Sequence, residues 1–189
     1  MKNILVINYS QTGQLNEILD KFLAPLSAFE IDRVQISPKV PFPFPWTGKA
    51  FFNAMPETVL EEPIDLEDFK APRDTYDLVI LGYQPWFLSP SLPTSALVQH
   101  ETFKRIINNT PVITIIGARN MWLNAQESIK LHIKNAGGQL VANIPLIDRN
   151  NNLLSALTIM HWMFGGKKTK KWGILPMPGV LQEDIDGDG

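Results

Sequence analysis

The sequence predicts an α/β protein of three layers: a doubly wound, five-stranded parallel sheet with helices on both faces. Three observations predict it. Five short runs of strand-forming residues, at Ile4–Ile7, Phe29–Ile36, Asp77–Gly82, Val112–Ile116 and Gln139–Ile147, alternate with segments of helical periodicity. Strands that alternate with helices make right-handed βαβ units and a parallel sheet. The first, third and fourth runs are nearly continuous in apolar residues, as strands covered on both faces are. The loops richest in hydroxyl, aromatic and basic side chains follow those same three strands, and ligands of doubly wound sheets bind beyond the carboxyl ends of strands.

The first strand leads through Ser10, Gln11, Thr12, Gly13 and Gln14 into a helix whose Leu15, Ile18, Leu19, Phe22, Leu23 and Leu26 form one stripe. A hydroxyl-bearing loop at a helix N-terminus offers free N–H groups and the positive end of the helix dipole to an anion. The loop has no GxxxxGK[ST], no lysine and only one glycine, so it is neither a Walker A loop nor a dinucleotide fingerprint. Neutral donors alone suit a phosphomonoester that stays bound rather than one that is transferred.

After the second strand, residues 38–72 break the pattern. Pro38, Pro41, Pro43 and Pro45 space out Phe42, Phe44 and Trp46, and acidic residues follow. Such a stretch is neither a central strand nor a helix interior. It is too small for a core of its own and is read as an insertion with a short helix over Gly48–Met55. The expectation is a hydrophobic lid on one sheet face; the alternative is a wall of a ligand site or dimer contact. The third strand enters the loop Tyr83–Pro93, and a helix is expected from Thr94 to Asn108 with Ala96, Leu97, His100, Phe103 and Ile107 inward. The fourth strand enters Gly117–Trp122. The next helix carries Trp122, Ala125, Ile129, Ile133 and Ala136 on one face and ends at Gly137–Gly138, a left-handed cap. The fifth strand and a polar turn follow, then an apolar helical run, Leu153–Phe164, read as the final helix of the doubly wound fold. Residues 1–165 thus form one domain, and residues 166–189 a tail, first basic (Lys167, Lys168, Lys170, Lys171), then acidic.

With 189 residues, 44% of them hydrophobic, the chain supports one well-buried domain. The net charge of −2 gives no reason to expect nucleic acid. The absence of cysteine excludes disulfides, thiolate metal sites and cysteine nucleophiles. His100, His132 and His161 lack metal-ligand spacing and no metal is expected. No signal peptide or membrane span is read, so the expected location is the cytoplasm. The terminal Asp184-Ile185-Asp186-Gly187-Asp188-Gly189 opens like an EF-hand loop but ends before its closing glutamate; a flexible acidic tail is expected instead.

Ser10-Gln11-Thr12-Gly13-Gln14 resembles the [ST]-x-[ST]-G-x loop with which the flavodoxin-like superfamily wraps the phosphate of FMN. The match departs after the glycine, where flavodoxins often continue Asn-Thr and this chain has Gln14-Leu15; Asn16 is the candidate to supply the missing polar contact. The resemblance extends to about Ile147. It implies strand order 2-1-3-4-5, FMN on Ser10–Leu15, and the ring between Pro85, Trp86, Phe87 and Leu88 on one side and Ala118, Arg119, Asn120 and Trp122 on the other. Trp86 is the expected stacking residue and Trp122 a possible wall. The ring loops carry no acidic residue, and Arg119 suits the anionic reduced flavin or the phosphate of a nicotinamide nucleotide. The resemblance therefore implies an NAD(P)H-dependent oxidoreductase or electron-transfer protein, acting on a small molecule or with a redox-protein partner, and by analogy a homodimer.

The opening residues and Pro85–Pro93 also resemble bacterial proteins named as dialkylresorcinol condensing enzymes. A ketosynthase-type condensation needs a cysteine, which this chain lacks. A second reading is kept open: a flavodoxin-like fold without flavin that binds a partner or, through its lysine-rich exit, a lipid surface. A receiver-type switch is excluded, since no acidic pocket follows the first and third strands.

Overall fold

The structure, a computed structural model, describes residues 2–119, 121–148 and 152–166, with Pro178, Val180, Asp184 and Ile185. The lysine run after Gly166, Trp172 and the last four residues lie outside them. The elements are β1 (Asn3–Asn8), α1 (Gln14–Leu23), β2 (Glu30–Gln35), α2 (Gly48–Val59), β3 (Leu78–Tyr83), a short hairpin of β4 (Pro85–Trp86) and β5 (Ser89–Pro90), α3 (Leu92–Gln99), α4 (Glu101–Ile107), β6 (Pro111–Ala118), α5 (Leu123–Asn135), β7 (Gln139–Ile147) and α6 (Asn152–Gly165). The main sheet is parallel, in the order β2-β1-β3-β6-β7. Counting only its own strands, this is the expected 2-1-3-4-5.

Alternate residues of β1 and β3 face opposite layers. Leu5, Ile7, Val79 and Leu81 pack with Leu97, Phe103, Ile107, Ile129 and Ile133 from α3, α4 and α5. Ile4, Val6, Ile80 and Ile115 pack with Leu15, Ile18, Leu19 and Leu23 of α1. Full burial of such an aliphatic side chain stabilises the fold by roughly 1.5–3 kcal/mol. Helix α1 lies close on the sheet because the strands beneath it carry glycine. A Cβ at Gly82 would stand 2.9 Å from Leu19 Cδ1 and 3.1 Å from Asn8 Cβ; one at Gly117 would stand 3.4 Å from Ile18 Cδ1. Asn8 Nδ2 donates to Asn16 Oδ1 at 2.8 Å, pinning the first turn of α1 to the end of β1.

Four expectations are corrected. The helix expected from Thr94 to Asn108 is two helices. It starts earlier, at Leu92, with a proline in its first turn. It breaks at His100, which adopts extended backbone (φ −74°, ψ 132°) while its Nδ1 accepts from Thr102 N–H at 3.2 Å, an N-cap for α4. His100 is therefore exposed, not inward. The loop after β3 folds back as the β4–β5 hairpin. Within the segment expected to be a tail, Val180 and Ile185 are buried in the α1-side core.

The fourth correction concerns α6 and the insertion. Among the described residues, helix α6 packs on the insertion rather than on a face of the sheet. Trp46 N–H donates to the Met163 carbonyl at 2.8 Å, and Phe44 and Phe51 meet Trp162 and Phe164. Helix α2 begins as expected at Gly48, capped by Thr47 Oγ1, which accepts from Ala50 N–H, but runs on to Val59 through Pro56. The insertion's ends are closed by Lys39 N–H to the Asp65 carbonyl and Glu67 N–H to the Ser37 carbonyl. Leu66, Ile64 and Phe69 pack on the α3–α5 side core, as a lid would, while Trp46, Phe42 and Phe51 pack beyond the sheet's carboxyl edge. Glu61 clamps the far end of α2 to α5: its Oε2 accepts from Ser128 Oγ at 2.7 Å and lies 3.2 Å from His132 Nε2. His132 thus serves the structure.

The close approach of α1 makes a direct test. Gly82→Val places methyl groups where Leu19 and Asn8 already stand, and urea denaturation should show a loss of roughly 1–3 kcal/mol, the usual cost of overpacking a tight core.

Candidate functional site

The loop after β1 turns into α1 at Gly13, which holds φ 85°, ψ −18° as the N-cap residue. That left-handed backbone is strained for any residue with a Cβ. Ser10 Oγ accepts from Gly13 N–H at 3.1 Å and Thr12 Oγ1 from Gln14 N–H at 3.4 Å. Two hydroxyls and the amides they face are thereby gathered at the positive end of the α1 dipole. Gln11 Nε2 donates to the Pro43 carbonyl and Gln14 Nε2 to the Val180 carbonyl, so the insertion and the C-terminal segment brace the loop from two sides. Asn16 does not add a contact here: its carboxamide is committed to Asn8 and Gln35.

The second wall is the β4–β5 hairpin. Its turn residues, Phe87 (φ 47°) and Leu88 (φ 72°), are both left-handed without being glycine, at a cost of roughly 1–3 kcal/mol each. Trp86 is set nearly perpendicular to three neighbouring rings: Tyr9 (centroids 6.0 Å apart), Phe42 (5.0 Å) and Trp46 (5.3 Å). The third wall is the end of β6, with Gly117, Ala118, Arg119 and Met121.

These walls enclose a cavity of about 360 Å³, inside the roughly 300–1,000 Å³ usual for small-molecule sites. Gln11, Thr12, Gln14, Leu15, Pro85, Trp86, Phe87, Leu88, Ala118 and Arg119 all line it. Ser10 and Gly13 shape the loop from behind through their mutual hydrogen bond. Trp122, a possible wall but also part of the core-facing α5 stripe, takes the core: it sits at the head of α5 and packs on the α3–α5 side core, outside the cavity lining. Asn120 lies outside the described residues. The alternative reading of the insertion, a wall of a ligand site, fits Trp46 and Phe51, which line the cavity; what sequence reasoning missed is the rest of the roof, Ile159, Met160, Trp162 and Met163 of α6. A signal existed, since the insertion's aromatic residues and the apolar length of α6 both lack a partner within the sheet. Among the described residues, Arg119 is the one charged side chain lining the cavity, and none is acidic.

Burial shapes the phenols around the site. Tyr9, next to Trp86, has its pKa pushed up to about 12 by desolvation. Tyr83, fully buried at the end of β3, is pushed up further by the same cause and donates to Gln126 Oε1 at 2.8 Å.

No protein-family model and no curated protein sequence matches the chain. Solved structures do. A flavoprotein from Lactobacillus acidophilus NCFM, determined in complex with FMN, is 13% identical, with 77% of this chain and 93% of that one covered at a TM-score of 0.58. A candidate flavoprotein from Bacteroides eggerthii DSM 20697 is 15% identical, covering 77% and 89%, at 0.59. A third, from Bacteroides uniformis ATCC 8492, is 14% identical, covering 86% and 97%, at 0.56. The fold is flavodoxin-like. Within this flavodoxin-like frame, the cavity occupies the carboxyl edge of β1, β3 and β6, where the topology leads a ligand to be sought.

The raised phenols make alkaline stability a readout of this packing. Unfolded tyrosines lose their protons near pH 10; Tyr9, and likewise Tyr76 beside Asp32, hold theirs to about 12. The unfolded chain then binds fewer protons, so stability is full below pH 10 and falls as pH rises to 12. Denaturant titrations across that window should show the decline, and Tyr9→Phe should lessen it.

Proposed function

We propose that the chain is an FMN-binding flavoprotein of the cytoplasm that carries out oxidoreduction, with NAD(P)H or a redox partner as electron source. One observation supports this above the others: three sheet-edge loops, far apart in sequence, converge on one cavity with a neutral hydroxyl-and-amide cradle at one end and aromatic walls beside it. The residues fit the group. Ser10 to Leu15 would hold the phosphate at the head of α1, where Gly13 leaves space for an anion to come close to the backbone. Trp86, with Pro85, Phe87 and Leu88, and the opposed Ala118 and Arg119 would flank the ring. FMN, once bound, supplies the electron transfer itself. Arg119, a cation of the cavity lining, would stabilise negative charge that develops on the ring. The flavoprotein in complex with FMN among the structural neighbours is consistent with this reading.

The purified protein should carry flavin absorbance or regain it on mixing with FMN. Replacing Thr12 and Gly13 together by Trp and Ile should weaken FMN binding by roughly 100-fold, about 2.7 kcal/mol, with far-UV circular dichroism unchanged. Undiminished affinity in that folded variant would remove the loop from the site.

A further inference from the structure

Exposed large apolar side chains collect at one end of the molecule, around the cavity mouth. Leu88, Met121 and Met160 line the cavity and are also exposed. Leu123 (64% exposed) follows Met121 at the head of α5. Phe52 (62% exposed) packs edge-on against Phe51 of the cavity lining, with centroids 5.4 Å apart, and Phe164 packs on the same ring at 5.5 Å. On α6, Leu157 and Phe164 fall on one exposed stripe with Met160, at helical spacing. Four separate elements thus build one apolar surface, and a surface of this kind marks an interaction site.

The charges around it have one sign. Helix α6 carries no aspartate, glutamate, lysine or arginine, and neither does the hairpin with its turn. The first turns of α2 and α5 hold no acidic residue. Lys49 is exposed one turn before Phe52, on the same side of α2. Beyond Gly166 the sequence continues with Lys167, Lys168, Lys170 and Lys171, a covalent reach of at most about 18 Å from the end of α6. The acids of the insertion begin only at Glu57, in the last turn of α2. The whole chain has a net charge of −2, so the cations attached to this end are outweighed by acids elsewhere.

We propose that this end of the protein docks on an anionic lipid surface, with Phe52, Leu88, Leu123 and the α6 stripe entering the headgroup layer. Apolar burial and attraction between lysines and anionic headgroups are each weak alone and together hold a protein at a membrane surface. The uneven charge also orients the approach, since the acidic remainder is repelled by the same surface. A second copy of the chain is the poorer occupant. A closed dimer pairs the patch with itself and would set lysine against lysine. The cavity mouth lies inside the patch, so docking brings its opening to the lipid. The proposal stands whether or not the cavity holds FMN.

The test is co-sedimentation of the whole protein with vesicles of phosphatidylcholine alone or of phosphatidylcholine mixed with phosphatidylserine. The mixed vesicles should bind at least about tenfold more tightly, and raised salt should remove most of that difference. Phe52→Gln, Leu123→Gln and Leu157→Gln combined change three exposed side chains outside the cavity lining. This variant should lose about tenfold or more in affinity for the mixed vesicles, with far-UV circular dichroism unchanged. Leu60→Gln, Leu131→Gln and Val141→Thr combined change exposed apolar residues outside the patch and should leave binding as it was. No binding to the mixed vesicles, equal binding to both kinds, or an equal loss in the two variants would overturn the proposal. A dimer in size-exclusion chromatography that the first variant splits would overturn it too, assigning the face to a second copy.

Discussion

The seating of α1 on a glycine-lined strip of sheet is the contact on which the site depends. Gly82 and Gly117 lie on neighbouring strands, and Leu19 and Ile18 fill the space their missing side chains leave. This closeness fixes the height of the helix above the sheet, and therefore where its N-terminus points. The Asn8–Asn16 hydrogen bond then fixes its rotation. The anion cradle inherits both constraints: with the helix displaced, Gln11, Thr12, Gln14 and Leu15 would no longer border the cavity that the other two loops line.

Around that fixed point the protein spends backbone strain and unusual packing. The β4–β5 turn places Phe87 and Leu88 in left-handed backbone, where asparagine and glycine would sit at ease. The reason is visible in their contacts. Phe87 packs with Trp46, Ala54 and Leu92 in a third cluster apart from the two sheet cores, and both turn residues line the cavity. The strain is offset by aromatic contacts a smaller residue could not make.

The insertion and α6 roof over one side of an open sheet edge. Neither has a stable place alone: the insertion is broken by prolines, and α6 is apolar over nearly its whole length. Each covers the other, with the hairpin as a third partner. Among the described residues, α6 helps to close the site, and Val180 and Ile185 from the C-terminal segment pack on the α1-side core.

Much was legible in the sequence because it is local. The continuous apolar runs of β1, β3 and β6, the α1 stripe, the left-handed Gly137 and the loop Ser10–Gln14 announce themselves within a few residues, since strand, helix and turn preferences act over that range. The break at His100 was local too, but an imidazole as N-cap is a weak signal beside an unbroken apolar period. What the tertiary structure alone decided is which surface meets which. Trp122 fits the core-facing stripe of its helix and also a cavity wall, and packing settles it in the core. The roof joins residues 46–51 to residues 159–163, and hydrophobic contact is non-directional, so no pattern in either stretch names the other as its partner.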